Sequence, residues 1–131
     1  MILVDTSVLI DFFKGEDNIP CRKFREVLEI SIPFGITSQI FQEVLQGAKS
    51  ITEYRKLLRY LGSQRFFHPK DPVDSYAQAA KIYFDCRKKG VTIRSTIDCL
   101  IAQIALENEV SVLHNDNDFD AMAEVIALKQ F

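Results

Sequence analysis

The sequence lacks any apolar stretch long enough to span a bilayer, which argues against a membrane protein. It also has little cysteine: Cys21, Cys86 and Cys99 are the only three, and no Cys-x-x-Cys pair occurs. An odd number at these spacings suits neither a disulfide framework nor a zinc site. Because the first strand is predicted to begin at Ile2, no basic-then-apolar leader is expected. Together these absences predict a protein of the reducing cytoplasm.

An excess of charge of either sign is lacking too, since 16 Lys and Arg face 18 Asp and Glu. Proteins that coat nucleic acids are usually strongly basic, so this balance argues against that class. It does not exclude a nuclease, which needs only local groups of acids and bases. Repeats, linkers and low-complexity segments are absent as well. The length of 131 residues therefore predicts one domain, spanning 1–131, with a sizeable core.

Predicted strands and helices alternate along the chain. Short apolar, β-branched or aromatic runs predict strands at 2–4, 32–36, 65–68, 110–114 and 125–128. Helical spacing and cap signals predict helices at about 8–13, 20–30, 38–47, 51–61, 71–89, 95–105 and 119–123. In the helix that Asp71 and Pro72 open, an apolar face is predicted to contain Tyr76, Ala79, Ala80, Tyr83 and Phe84. The alternation predicts an α/β fold with three layers, α/β/α, around a mainly parallel central sheet.

Four acids are predicted to meet at one edge of that sheet. Asp5 directly follows a predicted strand, and Asp116 lies in the turn after the predicted strand that ends at His114. Asp98 lies in the first turn of a helix, and Glu43 lies little more than one turn into another, beside an apolar stripe that directs it towards protein. Because strand ends and the following helix starts share the carboxyl edge of a parallel sheet, all four carboxylates are expected to converge there.

Crowded carboxylates repel one another, and a divalent cation relieves that repulsion. Ligation by oxygen alone favours Mg²⁺ or Mn²⁺ over zinc. Each acid also has an ordinary structural interpretation, since Asp5 and Asp116 suit helix caps or turns, Asp98 suits a capping box with Ser95, and Glu43 suits a solvated face. An EF-hand is rejected, because the loop that begins at Asp116 has alanine at its sixth and twelfth positions.

Four segments carry a family resemblance. They are residues 4–11 around Asp5, 41–47 around Glu43, 97–102 around Asp98 and 113–119 around Asp116. In order and context they resemble the PIN domain family and, more narrowly, its VapC-type toxins. The resemblance implies a PIN-like fold and a Mg²⁺-dependent endoribonuclease that cuts single-stranded or looped RNA, often tRNA or rRNA. It also implies a cognate antitoxin protein and a homodimer.

The resemblance implies an acidic metal site composed of Asp5, Glu43, Asp98 and Asp116. The expected chemistry is attack of a metal-activated water on the phosphodiester bond, with Glu43 as a base, a water-orienting group or a ligand to a second ion. By position, Thr6 matches a hydroxyl near the site, and Asp118 matches a flanking acid. His114 departs from the pattern, because many members carry Thr or Ser there, and local hydrogen bonds are expected for it rather than ligation.

Several neighbouring residues complete the predicted site. Thr6, Ser7 and Asn115 are expected to hydrogen-bond to the acidic ligands or to a phosphate. Arg94 has two open interpretations: it binds an RNA phosphate, or it pairs with Asp98 at the start of a helix. Asp11 lies beyond the first turn of its helix, so it is predicted to be a surface residue outside the cluster.

Two other functions are compatible with this size and fold class. A Mg²⁺-binding phospho-receiver domain needs an acidic pair after the first strand and a lysine after a late one. Here Asp5 stands alone, and no lysine follows the strand at 110–114. The other alternative is a PIN-like interaction module without catalysis, which the presence of all four acids disfavours.

Overall fold

The computed structural model describes residues 1–131. Four short strands form one sheet in the order β3-β2-β1-β4, and every pair is parallel. The strands are β1 (Ile2–Val4), β2 (Phe34–Thr37), β3 (Arg65–Phe67) and β4 (Ser111–Leu113). Seven helices complete the three layers: α1 (Thr6–Phe13), α2 (Ile19–Glu29), α3 (Ser38–Gln46), α4 (Ile51–Gly62), α5 (Asp74–Lys88), α6 (Thr96–Glu107) and α7 (Asn117–Ala123). The predicted α/β/α class is confirmed, and none of the helices combines the length and apolarity that crossing a membrane requires.

Strand β1 lies at the centre of the sheet and of the core. Its three apolar residues are buried, and Leu3 and Val4 are fully inaccessible to solvent. Burial of each such side chain contributes about 1.5–3 kcal/mol, which explains why an uninterrupted apolar run forms the central strand. Beyond the strand, the Asp5 amide donates to the Leu113 carbonyl at 2.9 Å. The segments that follow β1 and β4 therefore lie next to each other, at the carboxyl edge of the sheet.

Three strands lead into helices, two of them directly and β4 through a short turn, and a polar side chain caps each helix. Asp5 accepts from the Ser7 amide, Thr37 caps α3, and Asp116 accepts from the Asp118 amide. Each cap satisfies an amide that has no partner within the helix. The cap interpretation of Asp5 and Asp116 is thus confirmed, and these caps fix both carboxylates at the carboxyl edge of the sheet.

The strand predicted at 125–128 was wrong. The amides of Val125 and Ile126 donate to the Met122 carbonyl, so the chain continues from α7 as a turn. An isolated parallel bridge joins Val112 of β4 to Gln130 instead. A short apolar run does not distinguish a strand from a turn that packs against a helix, and here Leu128 supplies the buried contact.

The helix predicted at 71–89 was right in kind but wrong in its start and in its buried face. Helix α5 begins at Asp74, and Asp71 accepts from the amides of Val73 and Asp74 just before it. The buried residues are Ser75, Ala79, Ile82 and Cys86, whereas Tyr76 and Phe84 are exposed. Three of these four side chains are small, which allows α5 to pack closely on α6. Tyr76 and Phe84 lie towards solvent, whereas Tyr83 is half-buried against the core.

Candidate active site

Buried polar side chains collect at the carboxyl edge of the sheet. Asp5 is only 4% exposed, and Thr6, Thr37 and Asp118 are also buried there. A buried carboxylate is costly unless a hydrogen bond, an opposite charge or a metal ion compensates it. These residues follow β1, β2 and β4, so the parallel topology brings them together.

Three carboxylates form the tightest group. One oxygen each from Asp98, Asp116 and Asp118 can lie within 4.8 Å of the others. Asp98 comes from the first turn of α6, and Asp118 from the first turn of α7, which Asp116 caps. Asp118 was predicted only as a flanking acid, yet it is buried within the group. Asp116 is the cap of α7 and Asp118 lies two residues later, so both are at the start of the same helix. That spacing in the sequence could have indicated Asp118 as the third carboxylate of the group.

The other predicted acids, Asp5 and Glu43, interact electrostatically with this group of carboxylates. The pKa of Asp98 is raised to about 7, first by burial and then by the charges of Asp5, Asp116, Asp118 and Glu43. Burial also raises the pKa of Asp5, with a smaller contribution from Asp116, while hydrogen bonds from Ser7 oppose the rise. All four predicted acids and Asp118 therefore interact electrostatically. Their catalytic roles stay a prediction.

Glu43 differs from expectation in its exposure. Its side chain is exposed rather than directed into protein. Partial desolvation and the nearby Asp5 charge still raise its pKa. The Thr6 hydroxyl, which is close to Glu43 but outside the geometric limits of a hydrogen bond, opposes this rise. Glu43 thus lies at the solvent side of the cluster, next to the Asp5 carboxylate.

Two buried oxygen atoms near the start of α1 and of α3 have no hydrogen-bond partner: Thr6 Oγ1 and Gln39 Oε1. Thr6 follows Asp5 directly, and Gln39 lies one turn before Glu43 on the same side of α3. No sequence motif marks Gln39 as a site residue. The unpaired Thr6 hydroxyl and a cluster of carboxylates fit a hard divalent cation with its water shell, such as Mg²⁺ or Mn²⁺, and offer none of the nitrogen or sulfur ligands that zinc favours.

Arg94 pairs with acids other than the one predicted. Its amide and its Nε donate to Asp118 Oδ2 at 3.1 and 3.4 Å. Its Nη2 lies 3.6 Å from Asp116 Oδ1. The ion-pair interpretation was therefore right in kind and wrong in naming Asp98 as the partner. Because 75% of the side chain is exposed, the guanidinium can also meet an anion from solvent.

His114 makes the local hydrogen bonds that were expected. Its Nδ1 accepts from the Asp116 amide at 3.1 Å, and its Nε2 lies 2.6 Å from Gln130 Oε1. These partners assign the neutral ring with its proton on Nε2. A Ser or Thr hydroxyl at this position can accept from the same amide two residues later, so histidine replaces that contact. With both nitrogens engaged, the ring offers no lone pair to a metal.

Hydrogen bonds join the two acid-bearing segments. Ser7 Oγ donates to Asp5 Oδ2 at 2.7 Å and accepts from the Asn115 amide at 2.9 Å. Asn115 Nδ2 donates to Asp11 Oδ2 at 3.1 Å. Asp11 is half-buried and lies outside the group of three carboxylates, as predicted, but it is hydrogen-bonded to the segment that carries Asp116. Ser7 and Asp11 are four residues apart on α1 and share a face, which the sequence could have indicated.

The raised pKa of Asp98 predicts that the contribution of this residue to the stability of the metal-free protein falls as pH rises from about 4 to about 7. In this window the folded state keeps a proton that the unfolded chain, with an aspartate pKa near 3.9, has lost. After a discount for solvent screening, the expected loss is roughly 1–2 kcal/mol. Urea unfolding in EDTA at several pH values measures it, and Asp98→Asn is expected to flatten the curve. An unchanged slope in that variant would contradict the assignment.

Comparison with known proteins identifies relatives along the whole chain. A family model described as the PIN domain matches residues 2–125. The chain is 32% identical over 130 residues to the VapC ribonuclease Mb1587 of Mycobacterium bovis, covering 98% of this chain and 96% of that protein. Ribonuclease VapC11 of Mycobacterium tuberculosis matches with the same identity and coverage. A toxin–antitoxin complex from Klebsiella pneumoniae has a TM-score of 0.72 at 20% identity, with 100% of both chains covered, and this likeness shows the fold.

Proposed function

The chain belongs to the PIN domain family, and from this premise we propose that it is a divalent-metal-dependent endoribonuclease, the toxin of a toxin–antitoxin pair. The observation that carries the proposal is the group of carboxylates at the carboxyl edge of the sheet, where Asp98, Asp116 and Asp118 approach within 4.8 Å. The relatives named as VapC ribonucleases support the RNA substrate.

Asp5, Asp98, Asp116 and Asp118 would hold Mg²⁺, or Mn²⁺ in its place, with Glu43 at the solvent side. When bound, such an ion lowers the pKa of water and neutralises charge that develops on the phosphate. Glu43 is then suited to orient the attacking water or accept its proton, because its carboxylate lies at the solvent side of the cluster, next to Asp5. The exposed guanidinium of Arg94 is suited to pair with a phosphate oxygen of the substrate.

The proposal includes partners. The named Klebsiella structure contains a toxin and its antitoxin, and we propose that this chain is likewise inhibited by a cognate antitoxin. A homodimer and a tRNA or rRNA substrate are part of the same proposal. The three cysteines are free and buried, and we propose that the protein acts in the cytoplasm, as their number and spacing predict.

Purified protein tests the proposal directly with end-labelled structured RNA. We expect cleavage with Mg²⁺ or Mn²⁺, none in EDTA, and recovery when the metal is restored. A substrate with one 2′-deoxynucleotide at the mapped cut site is also expected to be cleaved, because attack by water does not use the 2′-hydroxyl. Undiminished cleavage in EDTA would contradict a metal-dependent nuclease, and loss of chemistry without loss of binding on the 2′-deoxy substrate would contradict attack by water.

A further inference from the structure

Asp11 connects three segments through one carboxylate oxygen. Its Oδ2 accepts from Asn18 Nδ2 and from Asn115 Nδ2, each at 3.1 Å. Asn18 is the N-cap of α2 and accepts from the Cys21 amide at 2.9 Å. Asn115 lies between the end of β4 and Asp116. The carboxylate of Asp11 therefore joins α1, the start of α2 and the turn that presents Asp116.

That turn is held at two points from the same face of α1. The Asn115 backbone amide donates to Ser7 Oγ, which itself donates to Asp5. The Asn115 side chain donates to Asp11, one helical turn further along α1. Hydrogen bonds to a charged acceptor are stronger than neutral ones, so the Asp11 contact is a strong restraint on an otherwise exposed residue.

We propose that Asp11 is a positioning residue: through Asn115 it holds the turn after β4, so that the Asp116 carboxylate stays aligned with Asp5 and Asp98. The expected effect of Asp11 on metal binding and cleavage rests on the proposed function. Its expected effect on the stability of the turn does not depend on that function. If Asp11 served only to fix the start of α2, its role would depend on Asn18 and not on Asn115.

Four variants separate these roles: Asp11→Ala, Asn115→Ala, the double Asp11→Ala/Asn115→Ala, and Asp11→Asn. Asparagine at position 11 keeps an oxygen that accepts from both amides, so it is the conservative rescue. Asp17→Ala is the matched control, because it removes a nearby exposed carboxylate that pairs only with Arg22. Asn115 is exposed, so its variant keeps the test valid should Asp11→Ala fail to fold.

The first measurement is amide hydrogen exchange at Asn115 and Asp116 in the metal-free protein. The second is Mn²⁺ affinity by titration, followed by kcat and KM for RNA. We expect both alanine variants to speed exchange at the two amides and to weaken Mn²⁺ binding about tenfold, as loss of a ligand-supporting contact typically does. KM for RNA should change little while kcat falls. The double variant should be no worse than either single variant. Asp11→Asn, whose neutral oxygen accepts weaker hydrogen bonds than a carboxylate, should recover most of the loss seen in Asp11→Ala, and Asp17→Ala should resemble wild type.

Unchanged exchange at Asn115 and Asp116 in a folded Asp11→Ala protein would overturn the proposal. The proposal would also be overturned if the losses of Mn²⁺ affinity in the two single variants multiplied in the double variant. Such independent effects would show that Asp11 does not act through Asn115. If the wild-type protein neither bound Mn²⁺ nor cleaved RNA, the proposed function would fail, and amide exchange would still decide whether Asp11 positions the turn.

Discussion

Replacement of Asp98 by asparagine is expected to reduce RNA cleavage by more than ~100-fold. The charge of Asp98 interacts with those of four other acids, and those charges and burial raise its pKa to about 7. Asparagine keeps the size of the side chain but removes the charge that would balance a divalent ion. The same loss of charge relieves repulsion in the metal-free protein, so the fold should be retained and be at least as stable above pH 7.

Single-turnover cleavage and Mn²⁺ titration measure this effect, and circular dichroism checks the fold. Asp85→Asn is the matched control, because Asp85 lies on the neighbouring helix α5 and pairs with Lys81 at 2.8 Å, outside the acidic cluster. The control should cleave RNA like wild type. Wild-type cleavage by a folded Asp98→Asn protein would exclude this cluster as the catalytic centre.

Asp118→Asn is expected to weaken divalent-metal binding by about tenfold or more. Its carboxylate is buried and belongs to the closest group of three, with Asp98 and Asp116. Because Asp118 also accepts from the Arg94 amide and side chain, loss of its charge should weaken the ion pair with Arg94 as well. The expected result is a lower Mn²⁺ affinity and, at saturating metal, a partial recovery of cleavage.

A control for this variant lies two residues further along the same helix. Asp120 is 61% exposed and lies 3.7 Å from His114 Nε2, outside the group of three carboxylates. Asp120→Asn should therefore leave Mn²⁺ affinity and cleavage unchanged. Equal losses in the two variants would indicate a general effect of negative charge on α7 rather than ligation by Asp118.

The sequence was sufficient to predict the central strand, the parallel three-layer fold and the edge where the acids meet. Ile2 to Val4 form an uninterrupted apolar run, and a buried parallel strand is the structure in which such a run loses most contact with water. Asp5 directly follows β1, and Asp116 follows β4 after two residues, so the topology alone determines which edge they occupy.

Contacts between segments distant in the sequence were less accessible to prediction. Asp11 and Asn115 are 104 residues apart, and only the pairing of β1 with β4 brings their side chains within 3.1 Å. One of the two interpretations of Arg94 paired it with Asp98 because they are close in sequence, whereas the turn into α7 presents Asp116 and Asp118 to it. Helix α5 shows a similar limit to prediction. Helical spacing identifies an apolar face, which here includes the exposed Tyr76 and Phe84, but it does not show that smaller residues on an adjacent face pack more closely against the protein.

Anomalous diffraction from crystals grown with Mn²⁺ tests most directly whether these acids bind a metal ion. We predict a peak within about 2.5 Å of carboxylate oxygens from Asp98, Asp116 and at least one of Asp5 and Asp118, and its loss in Asp98→Asn crystals. If the protein cleaves RNA at the same Mn²⁺ concentration but shows no peak among these carboxylates, a metal centre at this edge of the sheet would be contradicted.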